Sequence, residues 1–211
     1  MKRGRIVYEN RTWDVTEGEG GAVRLPDGRL LAQADVQWLP PIEFGTIIAL
    51  GLNYADHVKE LSRELTVTAK DAPLVFLKGP NSLVGHRGRT PRPRDAAFMH
   101  YECELAVVIG RQAKRVRAAD AMACVAGYTV SNDYAVRDYL ENYYRPNLRV
   151  KNRDASTAIG PWLVDAADDA ARLEQLVAEG SAPADARAAV RRWAATPAEV
   201  DERVRTMLLH L

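Results

Sequence analysis

Residues 99–110 read MHYECELAVVIG, and at the strand period of two they divide into two faces. One face carries Met99, Tyr101, Cys103, Leu105, Val107 and Ile109, all candidates for a core. The other carries His100, Glu102, Glu104, Ala106 and Val108, setting two carboxylates side by side, about 7 Å apart along the strand. The C-terminal half is apolar on both faces, as in a buried strand. Like charges this close in a partly dry place are costly or force protonation unless a cation lies between them. A hard divalent ion such as Mg²⁺ or Mn²⁺, which prefers oxygen ligands, is the simplest such cation. The same spacing equally fits an edge strand with one wet face and two solvated glutamates.

Working outward, the 211 residues suffice for one or two domains with a real core. Apolar residues make up 47% and charged residues 27%, an ordinary soluble composition, and a net charge of +1 gives no global pull toward nucleic acid or an anionic membrane. The N-terminal MKRGRIVYENRTW lacks the apolar segment of a signal peptide, and no later run approaches the ~18 apolar residues of a membrane span. A cytoplasmic location is therefore expected. Cys103 and Cys124 lie in apolar runs without metal-type spacing and are expected as reduced core thiols.

Residues 1–43 predict a small β-rich region, in which GRIVYENRTWDVTE and GAVRLPDGRLLAQ alternate around turn signals such as Pro26-Asp27-Gly28. Residues 38–42 read as a connector that packs down. A buried strand over 46–50 leads to a helix over 53–61, with Asn53 as N-cap and Tyr54, Val58 and Leu61 at helical spacing. On it His57 and Glu60 are neighbours, an arrangement that suits a general base and equally a routine surface pair. PLVFLKGP, residues 73–80, is an apolar strand ending in Lys78, which either steers an anion or snorkels to solvent. The loop that follows carries Arg87, Arg89, Arg92 and Arg94. It reads as a carboxylate clamp, a lid or a solvated face, and without interleaved aromatics it does not point to nucleic acid.

Residues 117–125 predict a short helix, 127–134 a strand, and 134–142 helical spacing again. An acid at the C-terminal end of a strand, just before a helix, stands where α/β sites are built, which makes Asp133 the candidate third metal ligand or else a plain N-cap. VKNRD then supplies Lys151, followed by a strand over 158–164.

Taken in order, GLNYADHVKEL, PLVFLKGP, HYECELAVVIG, VAGYTVSNDYAVRDYL, VKNRD and IGPWLV resemble the fumarylacetoacetate hydrolase family, over roughly residues 1–165. The resemblance implies an α+β, mixed-β fold, with a small N-terminal β region (1–43) before a rolled β-sheet catalytic domain (44–165). It implies Mg²⁺ or Mn²⁺ held by Glu102, Glu104 and Asp133, an acid/base pair in His57 and Glu60, and Lys151 facing a small 2-oxo carboxylate substrate. Arg137 either joins Lys151 in neutralising a distal carboxylate or pairs with Asp138 or Glu141. The implied reaction is decarboxylation and keto–enol isomerisation of a 2-oxo di- or tricarboxylate, as in members that serve aromatic (4-hydroxyphenylacetate) catabolism. An acylpyruvate-type C–C hydrolase and a catalytically silent homologue are the alternatives. A homodimer, or association with a homologous subunit, is implied as well, with no nucleic acid or membrane partner.

Past Asp165 the resemblance stops, and the family's further strands and its closing Thr-Gly-Thr-Pro-type loop do not follow. Residues 166–211, rich in Ala and Arg, read instead as a helical tail with apolar stripes at Leu173, Leu176 and Val177 and at Ala186, Val190 and Trp193. A capping box at residues 196–199 precedes Val200, Val204, Met207, Leu208 and Leu211 on one face. The same enrichment also fits a change of reading frame in GC-rich coding DNA. On either reading the catalytic domain is partial, with strand edges left unpaired.

Overall fold

The computed structural model describes residues 1–51, 74–139 and 148–166. The expected helix carrying His57 and Glu60, residues 140–142 and the tail beyond Ala166 lie outside the described residues. The chain opens with an antiparallel hairpin of β1 (Lys2–Tyr8) and β2 (Arg11–Glu17), closed by Glu9 and Asn10 at φ 49° and 56°. Two positive-φ residues make a turn whose twist matches that of the strands it joins. β3 (Val23–Arg24) and β4 (Leu30–Leu31) extend this sheet across the Pro26-Asp27-Gly28 turn, and β5 (Gln37–Leu39) pairs with β1. β6 (Ile47–Gly51) and β7 (Leu74–Lys78) form a separate antiparallel pair.

Short strands β8 (Leu83–Val84) and β9 (Met99–His100) precede the long pair β10 (Cys103–Ile109) and β11 (Val125–Asp133). After β12 (Ala135–Val136) and the four-residue helix α1 (Leu148–Lys151) come β13 (Thr157–Ile159) and β14 (Leu163–Asp165). The main sheet runs β4-β3-β2-β1-β14-β11-β13-β8, with β10 on β11 and β5 on β1. β13 and β14 both pair antiparallel with β11, at Asp133↔Thr157 and Tyr128↔Val164, and are separated by Gly160 at φ 106° and a cis Gly160–Pro161 bond. The structure is thus mostly β, and no helix among the described residues is long and apolar enough to cross a membrane.

β14 stitches the N-terminal strands to the rest by pairing Val164 with Lys2 and Leu163 with Arg3 of β1. The core follows that seam. Ile6, Val15, Val23, Leu25 and Trp38 pack with Ala121, Val125, Tyr128, Trp162 and Val164. Trp38 meets Trp162 edge-on, with centroids 4.9 Å apart and planes at 82°, the arrangement ring quadrupoles favour. A Cβ at Gly127 would stand 2.1 Å from the Val164 carbonyl oxygen, so β14 lies this close to β11 only because residue 127 has no side chain.

Several local expectations are corrected. Residues 99–110 are two strands, because β9 pairs with β12 while β10 pairs with β11, and the chain breaks step at Tyr101 and Glu102. The face expected as core is therefore wet at its ends, with Tyr101 44% and Ile109 37% exposed, and only Leu105 and Val107 of it pack against the main core. Residues 135–139 are a strand and a 3₁₀ turn (Arg137–Tyr139), since backbone pairing of Ala135 and Val136 with His100 and Met99 overrides the helical spacing. Ala118–Cys124 is 3₁₀. The strand expected as buried over 46–50 is β6, whose Ile48 is exposed.

Candidate metal centre

The β10–β11 register explains why the acids meet. Cys103 lies opposite Asn132 and Glu104 opposite Ser131, and one step beyond, the Asp133 N–H donates to the Glu102 carbonyl at 2.8 Å. The Glu102 N–H donates to Asn132 Oδ1 at 3.0 Å, holding the point where β10 begins. Glu102 and Glu104, two residues apart, and Asp133 across the ladder therefore share one face. One carboxylate oxygen from each lies within 4.8 Å of the others. Asp133 is buried, and the two glutamates are half-buried.

Among the described residues, three cations border this cluster. β7 alternates, with Phe76 and Lys78 inward and Val75 and Leu77 outward, so its last side chain enters the site. Lys78 Nζ donates to Asp133 Oδ1 and, at 2.5 Å, to the Lys151 carbonyl oxygen. Lys151, at the end of α1, donates to Glu102 Oε2 at 2.5 Å and to Asp133 Oδ2 at 2.9 Å, with Nζ 5.7 Å from the Phe76 ring centroid. Arg137 Nη2 donates to Glu102 Oε1 at 3.1 Å, while its buried Nε has no hydrogen-bond partner among the described residues.

Burial works against the Lys151 ammonium, but Asp133 and Glu102 outweigh it and hold its pKa above the ordinary lysine value. For Lys78 burial wins over Asp133, and its pKa falls below that value. Glu104 has no hydrogen-bond or salt-bridge partner among the described residues. Burial first, then the charges of Asp133 and Glu102, push its carboxyl up to about 8. A partly dry carboxylate without a direct partner, beside two others, is a donor set that fits a hard divalent ion. The positions that such an ion would share with Glu102 and Asp133 are bridged by the Lys151 ammonium, a cation of the protein's own.

Of the residues named from the sequence, Glu102, Glu104, Asp133 and Lys151 come together here, and His57 and Glu60 lie outside the described residues. Arg87, Arg89, Arg92 and Arg94 are exposed, and Arg87 bonds the Gln33 carbonyl at 3.3 Å, away from the acids. The contact between Lys78 and Asp133 was not foreseen. Its signal was the parity of β7, which places Lys78 on the same face as the apolar Phe76.

Fold and site together define a mostly β protein with a candidate divalent-metal centre at the end of a strand pair. A family model described as fumarylacetoacetate (FAA) hydrolase C-terminal matches residues 46–192, and the chain belongs to that family. It is 60% identical over 121 residues to the 4-hydroxyphenylacetate degradation bifunctional isomerase/decarboxylase of Salmonella dublin, covering 57% of this chain and 27% of that protein. To the homoprotocatechuate catabolism bifunctional isomerase/decarboxylase of Escherichia coli it is 61% identical over 117 residues, covering 56% of this chain and 26% of that protein. The chain thus spans about a quarter of the length of these curated relatives. A solved structure, the 5-carboxymethyl-2-hydroxymuconate delta-isomerase from Mycobacterium smegmatis, matches at 36% identity and a TM-score of 0.66, covering 80% of this chain and 67% of that one.

Proposed function

We propose that this chain is an enzyme that decarboxylates and isomerises a 2-oxo di- or tricarboxylate in aromatic catabolism of the 4-hydroxyphenylacetate type, using Mg²⁺ or Mn²⁺. The observation that carries the reading is the convergence of Glu102, Glu104 and Asp133 within 4.8 Å. The names of the Salmonella dublin and Escherichia coli relatives support the reaction class. On this reading residues 1–43 are a cap or spacer before the catalytic region 44–165, and 166–211 a helical tail.

A divalent ion held by the three acids supplies a Lewis acid for the keto oxygen, where charge accumulates as a C–C bond breaks or a proton leaves. Among the described residues the charges of the three acids are matched by Lys78, Lys151 and Arg137, so a bound dication would leave this part of the site positive and suited to a multiply charged carboxylate. On this reading Lys151, whose ammonium holds Glu102 and Asp133, turns toward a substrate carboxylate. Arg137, with Nη2 on Glu102 and an Nε that has no partner among the described residues, orients a second carboxylate. His57, paired with Glu60, moves the proton that isomerisation requires.

The test is CO₂ release and the change in keto–enol absorbance from a 2-oxo dicarboxylate, with Mg²⁺ and with chelator. Expected is activity that chelation abolishes and that Glu102→Gln lowers at least about a hundredfold. His57→Ala should slow isomerisation and leave Mn²⁺ binding unchanged. Water-dependent C–C cleavage without CO₂ would select an acylpyruvate hydrolase instead. Metal binding without turnover would mark a catalytically silent homologue.

A further inference from the structure

In the chemistry just described Lys78 supplies only its charge, yet with 2% of its side chain exposed it is more enclosed than Lys151 at 9%. Its surroundings form a seam. Where β7 ends, Asn152 stands in for a neighbouring strand: its Oδ1 accepts from the Gly79 N–H at 2.5 Å, and its Nδ2 donates to the Leu77 carbonyl at 2.8 Å. Asn81 continues the stitching by donating to the Asn152 carbonyl at 3.1 Å and to Asp154 Oδ1 at 2.8 Å, and the Ala155 N–H returns to the Asn81 carbonyl at 3.0 Å. Lys78 is the inward arm of this seam, reaching both the end of α1, at the Lys151 carbonyl, and the end of β11, at Asp133.

The two lysines divide Asp133 between them, Lys78 on Oδ1 and Lys151 on Oδ2. A carboxylate attached at Cβ swings broadly about its last torsion, so a donor fixed on one oxygen decides where the other points. Only Oδ2 lies on the side shared with Glu102 through Lys151. We propose that Lys78 is a positioning residue: it locks Asp133 by Oδ1, and α1 by the Lys151 carbonyl, so that Asp133 Oδ2 and the Lys151 ammonium stand in register for a divalent ion and its ligand. Lys78 itself touches neither. The inference rests on the metal-centre reading of Glu102, Glu104 and Asp133.

The experiment is titration of the full chain with Mn²⁺ alone, followed by the loss of the free-ion electron paramagnetic resonance signal. Lys78→Met should raise the Mn²⁺ dissociation constant by about 10- to 100-fold. Lys78→Ala should do the same, and propylammonium, which replaces the deleted atoms, should restore part of the affinity while tetramethylammonium at equal concentration does not. Lys78→Gln keeps a donor toward the Lys151 carbonyl but removes the charge from Asp133, and it is read the same way where Lys78→Met does not fold. Variants that melt at lower temperature but bind Mn²⁺ as tightly as wild type would overturn the positioning role and leave the metal centre standing. A wild-type chain that binds no Mn²⁺ would overturn the metal centre and this inference with it.

Discussion

Glu104 is where the electrostatics of the site are least balanced. Its carboxyl sits at about 8 in the folded chain against an ordinary value of 4.5, so between those limits the folded state holds a proton that the unfolded state has lost. Stability of the metal-free protein therefore falls as pH rises through that window, by at most about 1.4 kcal/mol per pH unit. Urea unfolding across the window should show this slope in wild type and its loss in Glu104→Gln. Wild type and variant with parallel profiles would refute it. If the three acids take up a divalent ion as proposed, binding below the raised pKa must also expel that proton, on the order of one per ion at about pH 6.5, measurable by calorimetry in buffers of different ionisation heat. Asp133 makes the opposite case. Both of its oxygens accept from buried ammonium groups, so Asp133→Asn should cost about 3–5 kcal/mol in urea unfolding, chiefly from cations left without their counter-charge.

At the scale of elements, β11 does the assembling. It pairs with β10 along one edge and with β13 and β14 along the other, and its last residue is Asp133. Gly127 is the weak point of this arrangement, because a methyl group there meets the Val164 carbonyl at 2.1 Å. Gly127→Ala should separate β14 from β11, lowering stability by about 3 kcal/mol and loosening β1 with it. Faster hydrogen exchange of the Lys2 and Arg3 amides would register the change. Unchanged exchange would mean that β14 tolerates the shift. The strands were legible in alternation and turn residues. Not legible were the break at Tyr101 and Glu102 and the extended conformation of Ala135 and Val136, because each depends on a partner strand supplied by a distant part of the chain.

At the scale of the whole molecule, β6 and β7 pair only with each other among the described residues, and Ile48, Val75 and Leu77 of that pair are 39%, 42% and 52% exposed. Exposed apolar side chains on a strand pair favour association. Leu77→Glu should reduce concentration-dependent association in sedimentation and leave Mn²⁺ affinity as in wild type, because Leu77 points away from Lys78 and the acids. Self-association that persists in this variant would locate the contact elsewhere. The sequence by itself determined the pairing of Glu102 with Glu104 on one face, the placing of Asp133 at a strand end and the family, because strand parity and ordered motifs are local properties. Only the tertiary structure decided that Lys78 reaches Asp133 and that Lys151 bridges Glu102 and Asp133. Those contacts join residues 55, 49 and 18 positions apart, and no local pattern encodes a separation that the packing of β7, α1 and β11 sets.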